Sequence, residues 1–172
     1  LDDSARIDGV TIRGGNADAD LTHRTGGGML NYEASPIVTS VVFAENRAFH
    51  GGGLVFRDVE DGLLRNGVFD RNLADEFGGG VQIDDAAVDM ANLVLVGNRA
   101  GKYGGGMMLW GTLGGGSRLE HATLYGNHAY EEGAAIEVSS AYLSVYGSVS
   151  HGNTTSDSFQ DTTIHITGDP ES

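Results

Sequence analysis

Glycine recurs in this chain in clusters at a nearly fixed interval, and this repeat constrains the fold more than any other feature. The clusters begin at Gly26, Gly51, Gly78, Gly104 and Gly133, so that successive starts lie 25, 27, 26 and 29 residues apart. The first four are triple glycines, whereas Ala134 and Ala135 complete the fifth. Self-similarity with a period of about 20 to 50 residues is typical of solenoids and repeat arrays.

Asparagine marks the same period at a second position. It occurs at Asn46, Asn72, Asn98, Asn127 and Asn153, with spacings of 26, 26, 29 and 26 residues. Three positions earlier the chain carries Phe43, Phe69, Leu95, Leu124 and Ser150. Gly15 fills the asparagine position of an additional first row, because Ile7, Ile12 and Ala17 then fall at the expected offsets. Two independent markers therefore define six rows.

The apolar residues alternate with polar ones after each glycine cluster, as in the segment from Val81 to Asp84. This is the period of a β-strand, and no row contains an amphipathic helical segment. The pattern predicts an all-β chain that forms one single-stranded, right-handed parallel β-helix of about six coils. We expect one domain over residues 1–172, with coils at about 7–33, 36–61, 62–86, 88–116, 117–141 and 143–168.

Each recurring residue has a predicted role in such a coil. Equivalent residues of successive coils stack at about 4.8 Å, so the asparagines are expected to form a ladder joined by their side-chain amides. Glycine permits a positive φ and a close approach of two backbones, which predicts one tight corner per coil at the glycine clusters. The loss of two glycines at Ala134 and Ala135 predicts a looser fifth corner.

Composition excludes several classes of function. The 10 basic and 24 acidic residues give a net charge of −14, which opposes binding to nucleic acid or to an anionic membrane surface. Cysteine is absent from the sequence, so disulfides and thiolate metal sites are excluded. No stretch is long and apolar enough to cross a membrane as a helix. Since the chain opens with Leu1 rather than Met, we expect it to be a segment of a larger protein.

The segments Phe43–Asn46 and Phe69–Asn72, each followed by a triple glycine and an aliphatic residue, resemble the FxxN and GGA(I/L/V) repeats of polymorphic outer-membrane adhesins. The rows are also similar to bacterial right-handed parallel β-helix surface proteins of the pectin-lyase-like superfamily. The resemblance implies an extracellular or cell-surface location and a structural or adhesive role. Lyases and glycosidases of that superfamily place acids, an arginine base and Ca²⁺ ligands on the side of the coil that carries the strand after the glycine corner. The resemblance therefore also implies a candidate catalytic site on that side.

The strand after the glycine corner is the predicted binding face. Its outward positions carry an apolar and aromatic band where a solvated strand is normally polar. We expect an insertion loop or a partner subunit to cover this band, or a groove in which Tyr32 and Trp110 stack on sugar rings. The residues predicted to bind a partner protein or a glycan are Leu30, Tyr32, Val55, Arg57, Asp84, Met108 and Trp110. Insertions within 16–25 and 111–116 are expected to emerge as loops on one face.

An alternative catalytic set lies close by. Arg57, Asp58, Asp84 and Asp85 fall on adjacent rows, where Asp58 and Asp85 are expected to come within reach of a shared Ca²⁺ or to act as a carboxylate pair. The same two aspartates also have the composition of a turn that ends a strand. The six histidines show no helical zinc-ligand spacing, so the sequence assigns no metal site.

Three functions remain open from the sequence. The first is a non-catalytic secreted or cell-surface module that binds a partner protein or glycan, without a cofactor. The second is a Ca²⁺-dependent polysaccharide lyase or glycoside hydrolase that acts on an acidic polysaccharide. The third is a subunit that stacks end to end into a filament or docks on a larger complex, because the outermost strands of a solenoid lack a neighbour at its two ends.

Overall fold

The computed structural model describes residues 5–17, 24–111, 116–156 and 164–167, and in these ranges the chain is a parallel β-solenoid. Within these ranges four parallel sheets run along the solenoid, and each contains six strands. Successive strands of a sheet are one coil apart, so the solenoid makes about five turns and the predicted count of about six coils is approximate. The predicted all-β fold is confirmed.

The first three sheets are made of short strands. Sheet A contains β1 (Arg6–Asp8), β5 (Ile37–Thr39), β9 (Gly62–Arg65), β13 (Val88–Ala91), β17 (Ser117–Glu120) and β21 (Leu143–Tyr146). Sheet B contains β2 (Thr11–Arg13), β6 (Val42–Ala44), β10 (Val68–Asp70), β14 (Val94–Val96), β18 (Thr123–Tyr125) and β22 (Val149–His151). Sheet C contains β3 (Asn16–Ala17), β7 (Arg47–His50), β11 (Leu73–Phe77), β15 (Arg99–Ala100), β19 (His128–Ala129) and β23 (Thr154–Thr155).

Sheet D carries the strands that follow the glycine clusters. It contains β4 (Met29–Tyr32), β8 (Leu54–Arg57), β12 (Val81–Asp84), β16 (Met107–Trp110), β20 (Ile136–Ser139) and β24 (Ile164–Thr167). The pairing is in register: Gln82 of β12 faces Val55 on one side and Met108 on the other. Residues at the same place in successive rows therefore become neighbours in space.

The core consists of inward-facing aliphatic and aromatic side chains in stacked rows. Phe43 and Phe69 lie parallel in adjacent coils, with ring centroids 5.0 Å apart and planes 5° apart. Stacking of this kind adds to the apolar area that the coils bury together. The strand alternation points the other side chains of each strand outward, and their exposure decides which of them are available for binding.

The five asparagines form a continuous ladder between sheets B and C. The Nδ2 of each donates to the Oδ1 of the next, at 3.0 Å from Asn46 to Asn72 and 2.9 Å from Asn98 to Asn127. Each Oδ1 in the ladder also accepts the backbone N–H of the preceding rung, as Asn98 Oδ1 does from Asn72 at 3.0 Å. In the first coil the backbone N–H of Gly15 donates to Asn46 Oδ1 at 2.9 Å. Gly15 therefore takes the asparagine position without a side-chain amide.

The corners of the coil use left-handed backbone conformations. Sheet A strands are followed by residues such as Asn66 and Asn92, with φ of 53° and 54°, and sheet D strands by Asp58 and Asp85, with φ of 54° and 45°. Asparagine and aspartate tolerate this region better than most residues. These corners therefore do not require glycine, which explains why glycine clusters mark only one corner of each row.

At the corner between sheets C and D, glycine allows both a positive φ and the close approach of neighbouring atoms. Gly78 has a φ of 67°, and a Cβ there would lie 2.9 Å from the Cβ of Gln82. At the next position, a Cβ on Gly79 would overlap the carbonyl oxygens of Gly105 and Arg99. On the side that faces the fourth coil, the fifth corner is hydrogen-bonded despite its alanines, since Gly106 N–H donates to Ala134 O at 3.0 Å. The residues that would follow this corner in the next coil, 157–163, lie outside the described ranges.

The core is less covered at the two ends of the described solenoid. Ile7 and Ile12 of the first coil are half-buried, and Val145, which pairs with the buried Leu119, is 39 % exposed. Within the described ranges, the structure contains no helix of the length and hydropathy needed to cross a membrane.

Candidate binding cleft between sheets C and D

A cleft runs along the corner between sheets C and D, and three rows of side chains form it. The floor is the second residue of each sheet D strand, the wall is the residue directly before each glycine cluster, and the rim is the last residue of each sheet D strand. The floor comprises Leu30, Val55, Gln82, Met108, Glu137 and His165. The wall comprises Thr25, His50, Phe77, Tyr103 and Glu132. The rim comprises Tyr32, Arg57, Asp84, Trp110 and Ser139.

The floor is covered, but not by the elements that the sequence analysis considers. Val55 and Met108 belong to the outward band that an insertion loop or a partner subunit is expected to cover, and both are buried together with Gln82. The wall residues and the glycine corner cover them, since a Cβ on Gly104 would lie 2.8 Å from the Cβ of Met108. The cover is thus a regular part of each coil rather than an insertion loop or a partner. Leu30 remains exposed in the coil where the wall residue is Thr25.

The wall is a stack of rings in three successive coils. His50 and Phe77 have centroids 5.0 Å apart, and Phe77 and Tyr103 lie nearly parallel at 5.7 Å. The Trp110 ring of the rim meets Phe77 edge-on at 6.1 Å. Trp110 is nevertheless 49 % exposed, so its position is fixed on one side while much of the indole remains open to solvent.

Phe77 and Trp110 separate two hollows in the cleft. One has a volume of about 380 Å³ and is bounded by His50, Arg57 and Gln82 as well as by these two rings. The other has a volume of about 260 Å³ and is bounded by Tyr103 and Met108 on the opposite side of the rings. A concave site lined by aromatic rings and a few polar groups is the usual form of a small-ligand site.

Gln82 is the least expected residue of the floor. It is 2 % exposed, and its Oε1 has no hydrogen-bond partner among the described residues. A buried amide oxygen without a partner costs about 1 to 3 kcal/mol relative to a solvated one. The neighbouring floor positions carry Val55 and Met108, so an apolar side chain fits this row. A polar group at this point of the larger hollow is therefore a candidate ligand contact.

Ion pairs lie around the larger hollow. The Nε of Arg57 donates to Asp84 Oδ2 at 2.7 Å on the rim. Behind the wall, Glu76 accepts from Lys102 and lies 3.3 Å from His50 Nε2. The Lys102 hydrogen bond holds the pKa of Glu76 below its usual value, against the opposing effect of burial. These paired charges leave the larger hollow without a surplus of positive charge.

Tyr103 is anchored to the fifth coil by its hydroxyl. The phenol donates to the Glu131 carboxylate, which together with burial and the nearby Glu132 and Glu137 raises the pKa of Tyr103 to about 12. The neutral phenol is thus the form that the fold stabilises. Tyr103 links the aromatic part of the wall to the acidic part that follows it.

The alternative catalytic residues lie on adjacent coils, and the structure brings two of the four, Arg57 and Asp84, into contact. Arg57 pairs with Asp84, whereas Asp58 and Asp85 occupy left-handed corner positions. The Asp85 carboxylate lies over Gly111 of the following coil, away from the coil of Asp58. This orientation does not favour a Ca²⁺ shared by Asp58 and Asp85, and it supports their interpretation as corner residues.

A wider hollow of about 610 Å³ lies near the turns between sheets D and A. Its described lining includes the acids Glu60, Asp61 and Asp89 and the aliphatic Leu63, but no aromatic ring. It adjoins Gly116, next to the predicted insertion at 111–116, of which residues 112–115 lie outside the described residues. Residues 18–23 of the other predicted insertion also lie outside them. The hollow offers less for ring recognition than the cleft.

The acidic end of the cleft brings one wall residue to two successive floor residues. Glu132 of the wall, Glu137 of the floor and His165 of the next floor position each offer one ligand atom, and these three atoms lie within 4.8 Å of one another. His165 Nδ1 lies 3.0 Å from Glu132 Oε2 and 2.9 Å from Glu137 Oε2. Glu137 is 3 % exposed, so this contact is largely removed from water.

The wall is the part of the site that sequence reasoning missed. Its signal was present, because the residue before the glycine cluster is His50, Phe77 and Tyr103 in three successive rows. An aromatic repeated at one row position predicts a ring stack as directly as repeated asparagine predicts a ladder.

Comparisons with family models, curated proteins and solved structures find no match to this chain.

Proposed function

We propose that this chain is a non-catalytic binding module of a secreted or cell-surface β-solenoid protein, and that the cleft between sheets C and D binds an uncharged glycan. The observation that carries the proposal is the pairing of an open aromatic face with a buried, unpartnered amide oxygen in one hollow. Trp110 offers the face and Gln82 Oε1 the acceptor. Aromatic faces stack on the apolar faces of sugar rings, while amide and charged side chains bind the hydroxyls.

The burial of the floor favours a glycan over a protein partner. The core of a protein interface is enriched in apolar surface, whereas Val55 and Met108 are covered by the chain itself. Leu30 and Tyr32 are exposed at one end of the cleft, and beside the exposed indole of Trp110 lies a narrow hollow lined by rings and a few polar side chains. Gln82 lines this hollow, and a rotation of its amide would let a ligand hydroxyl supply the donor that Oε1 lacks among the described residues.

The charges near the cleft favour an uncharged ligand over an acidic one. Arg57 is neutralised by Asp84, and Lys102 by Glu76. With a net charge of −14 on the chain, an acidic polysaccharide would approach against the field. The Arg57–Asp84 pair instead offers donors and acceptors side by side, which suits the hydroxyls of a neutral sugar.

Trp110 is the only tryptophan of the sequence, so its fluorescence reports on the cleft alone. We expect a neutral β-glucan or mannan oligosaccharide to shift its emission in a saturable way, with oligogalacturonate as the acidic comparison. In affinity electrophoresis, Trp110→Ala should lower retention by the same neutral polysaccharide about tenfold, since stacking is lost. Tyr125→Ala, which removes an exposed aromatic of sheet B, is the matched control.

Equal retention of Trp110→Ala and Tyr125→Ala would contradict the proposed site. Binding of oligogalacturonate alone would contradict the choice of an uncharged ligand. Cleavage of any of these polysaccharides by the chain would contradict its assignment as non-catalytic.

A further inference from the structure

The fifth coil replaces the aromatic wall of the cleft by an acidic one. Glu132 follows His50, Phe77 and Tyr103 in the wall row, and Glu137 follows Met108 in the floor row. The strand pairing then places His165 directly beside Glu137. Two successive strands of sheet D and the bend before the fifth glycine corner thus bring an imidazole and two carboxylates to one point. This is a different chemistry from the rest of the cleft.

At this point two carboxylates share a single imidazole nitrogen. One imidazole nitrogen, Nδ1 of His165, faces both carboxylates, at 3.0 Å from Glu132 Oε2 and 2.9 Å from Glu137 Oε2. An imidazole nitrogen carries at most one proton, so it donates to both oxygens only as a shared hydrogen bond. Since Glu137 is 3 % exposed, a carboxylate is held here in a place where water compensates it poorly. A cation between the three groups would bind both carboxylates and the imidazole nitrogen.

The geometry points to a divalent transition-metal site at Glu132, Glu137 and His165, with Zn²⁺ as the ion that fits it best. The ligand set is one imidazole nitrogen and two carboxylate oxygens, and the sequence has no cysteine to compete for the ion. Zinc binds such ligands at about 2.0 to 2.2 Å in tetrahedral geometry. Ligand atoms that lie within 4.8 Å of one another reach that geometry by small side-chain rotations.

The nitrogen ligand distinguishes this site from a Ca²⁺ or Mg²⁺ site. Those ions prefer oxygen ligands, whereas imidazole suits Zn²⁺ and its neighbours in the first transition series. Glu132 and Glu137 also line the smaller hollow, which extends toward Trp110. A fourth coordination position would therefore open onto the cleft and remain available to water. This inference does not depend on the proposed glycan.

The test is isothermal titration of the tag-free chain with ZnCl₂, with CaCl₂ as the comparison ion. We expect one Zn²⁺ per chain and weaker binding of Ca²⁺ by at least about a hundredfold. His165→Ala should lower zinc affinity at least about tenfold, and Glu132→Gln, which keeps the size of the side chain, should do the same. His121→Ala, which removes an exposed histidine elsewhere, should leave the affinity unchanged.

Cobalt gives a second readout that does not depend on stability. Co²⁺ bound at this site should show the visible absorption of a four-coordinate ion, which is lost in His165→Ala and kept in His121→Ala. Circular dichroism checks that each variant retains the β-solenoid. No zinc binding by the wild-type chain, or equal affinities of the His165→Ala and His121→Ala variants, would overturn the site. Equal binding of Ca²⁺ and Zn²⁺ would overturn the role of the imidazole.

Discussion

Phe77 meets Trp110 edge-on, with ring centroids 6.1 Å apart and planes at 86°. Phe77 belongs to the wall of the cleft and Trp110 to its rim, so this contact joins the two rows across the buried floor. Edge-to-face contacts contribute about 0.5 to 1.5 kcal/mol beyond the area they bury. The contact also explains how an indole that is half exposed keeps a defined orientation.

Phe77→Leu should loosen Trp110 without unfolding the coil. Leucine retains most of the apolar volume but removes the ring edge that supports the indole. We expect the Trp110 emission to shift to longer wavelength and its fluorescence anisotropy to fall. Phe49→Leu, which changes a ring that contacts His50 but not Trp110, is the matched control. An unchanged Trp110 spectrum in Phe77→Leu would contradict the supporting role of Phe77.

Asn98→Ala, in the buried ladder, should destabilise the fold more than Asn66→Ala, at an exposed corner. It removes an Oδ1 that accepts from the backbone and side chain of Asn72, and an Nδ2 that donates to Phe69 O and Asn127 Oδ1. We expect a loss of about 3 kcal/mol, because buried polar groups lose their partners. Asn66→Ala, at an exposed left-handed corner, should cost only about 1 kcal/mol. Urea denaturation of both variants measures the difference, and similar midpoints would contradict the ladder's contribution.

The sequence is sufficient to predict the asparagine ladder, because one asparagine per row marks the register. It was also sufficient for the alignment of the strands, since Gln82 pairs with Val55 and Met108 as the rows require. It failed for exposure, because a row alignment shows which residues face outward but not what folds over them. Val55 and Met108 face away from the core and are buried all the same by the wall and by the glycine corner.

The convergence at the acidic end follows only in part from the sequence. The row alignment places His165 at the outward position after Glu137, and the pairing of β20 with β24 agrees with it. The alignment does not show that Glu132, which precedes the glycine corner, turns to the same point. Metal-ligand spacings known from helices do not apply to a coil in which neighbours are one turn apart.

Gly79→Ala tests the close approach at the glycine corner. Its Cβ would overlap two carbonyl oxygens, those of Gly105 and Arg99, and neither backbone can move without disturbing the ladder. We expect a loss of about 3 kcal/mol in the free energy of unfolding. Gly126→Ala has a φ of 62° but no atom within 4 Å of the new Cβ, so only backbone strain of about 1 kcal/mol is expected. Equal losses in thermal or urea denaturation would contradict a steric requirement at this corner.

Tyr103 should ionise later than an ordinary tyrosine. The pKa of Tyr103 is raised to about 12 in the fold. The stabilisation by the neutral phenol is therefore complete below pH 10.0 and is lost as the pH rises from there through about 12. Wild type and Tyr103→Phe should therefore give the same increase in phenolate absorbance up to about pH 11. A larger increase in the wild type over that range, by the amount of one tyrosine, would show that Tyr103 ionises normally and that the Glu131 contact does not hold.

Gln82→Met gives the most direct test of the cleft as a binding site. The variant extends the apolar floor row of Val55 and Met108 and removes the amide oxygen that lacks a partner among the described residues. We predict that its affinity for the neutral oligosaccharide, measured by calorimetric titration, falls about tenfold while its melting temperature stays the same or rises. Unchanged affinity in a variant that melts at or above the wild-type temperature would contradict the account, because Gln82 would then have no part in binding.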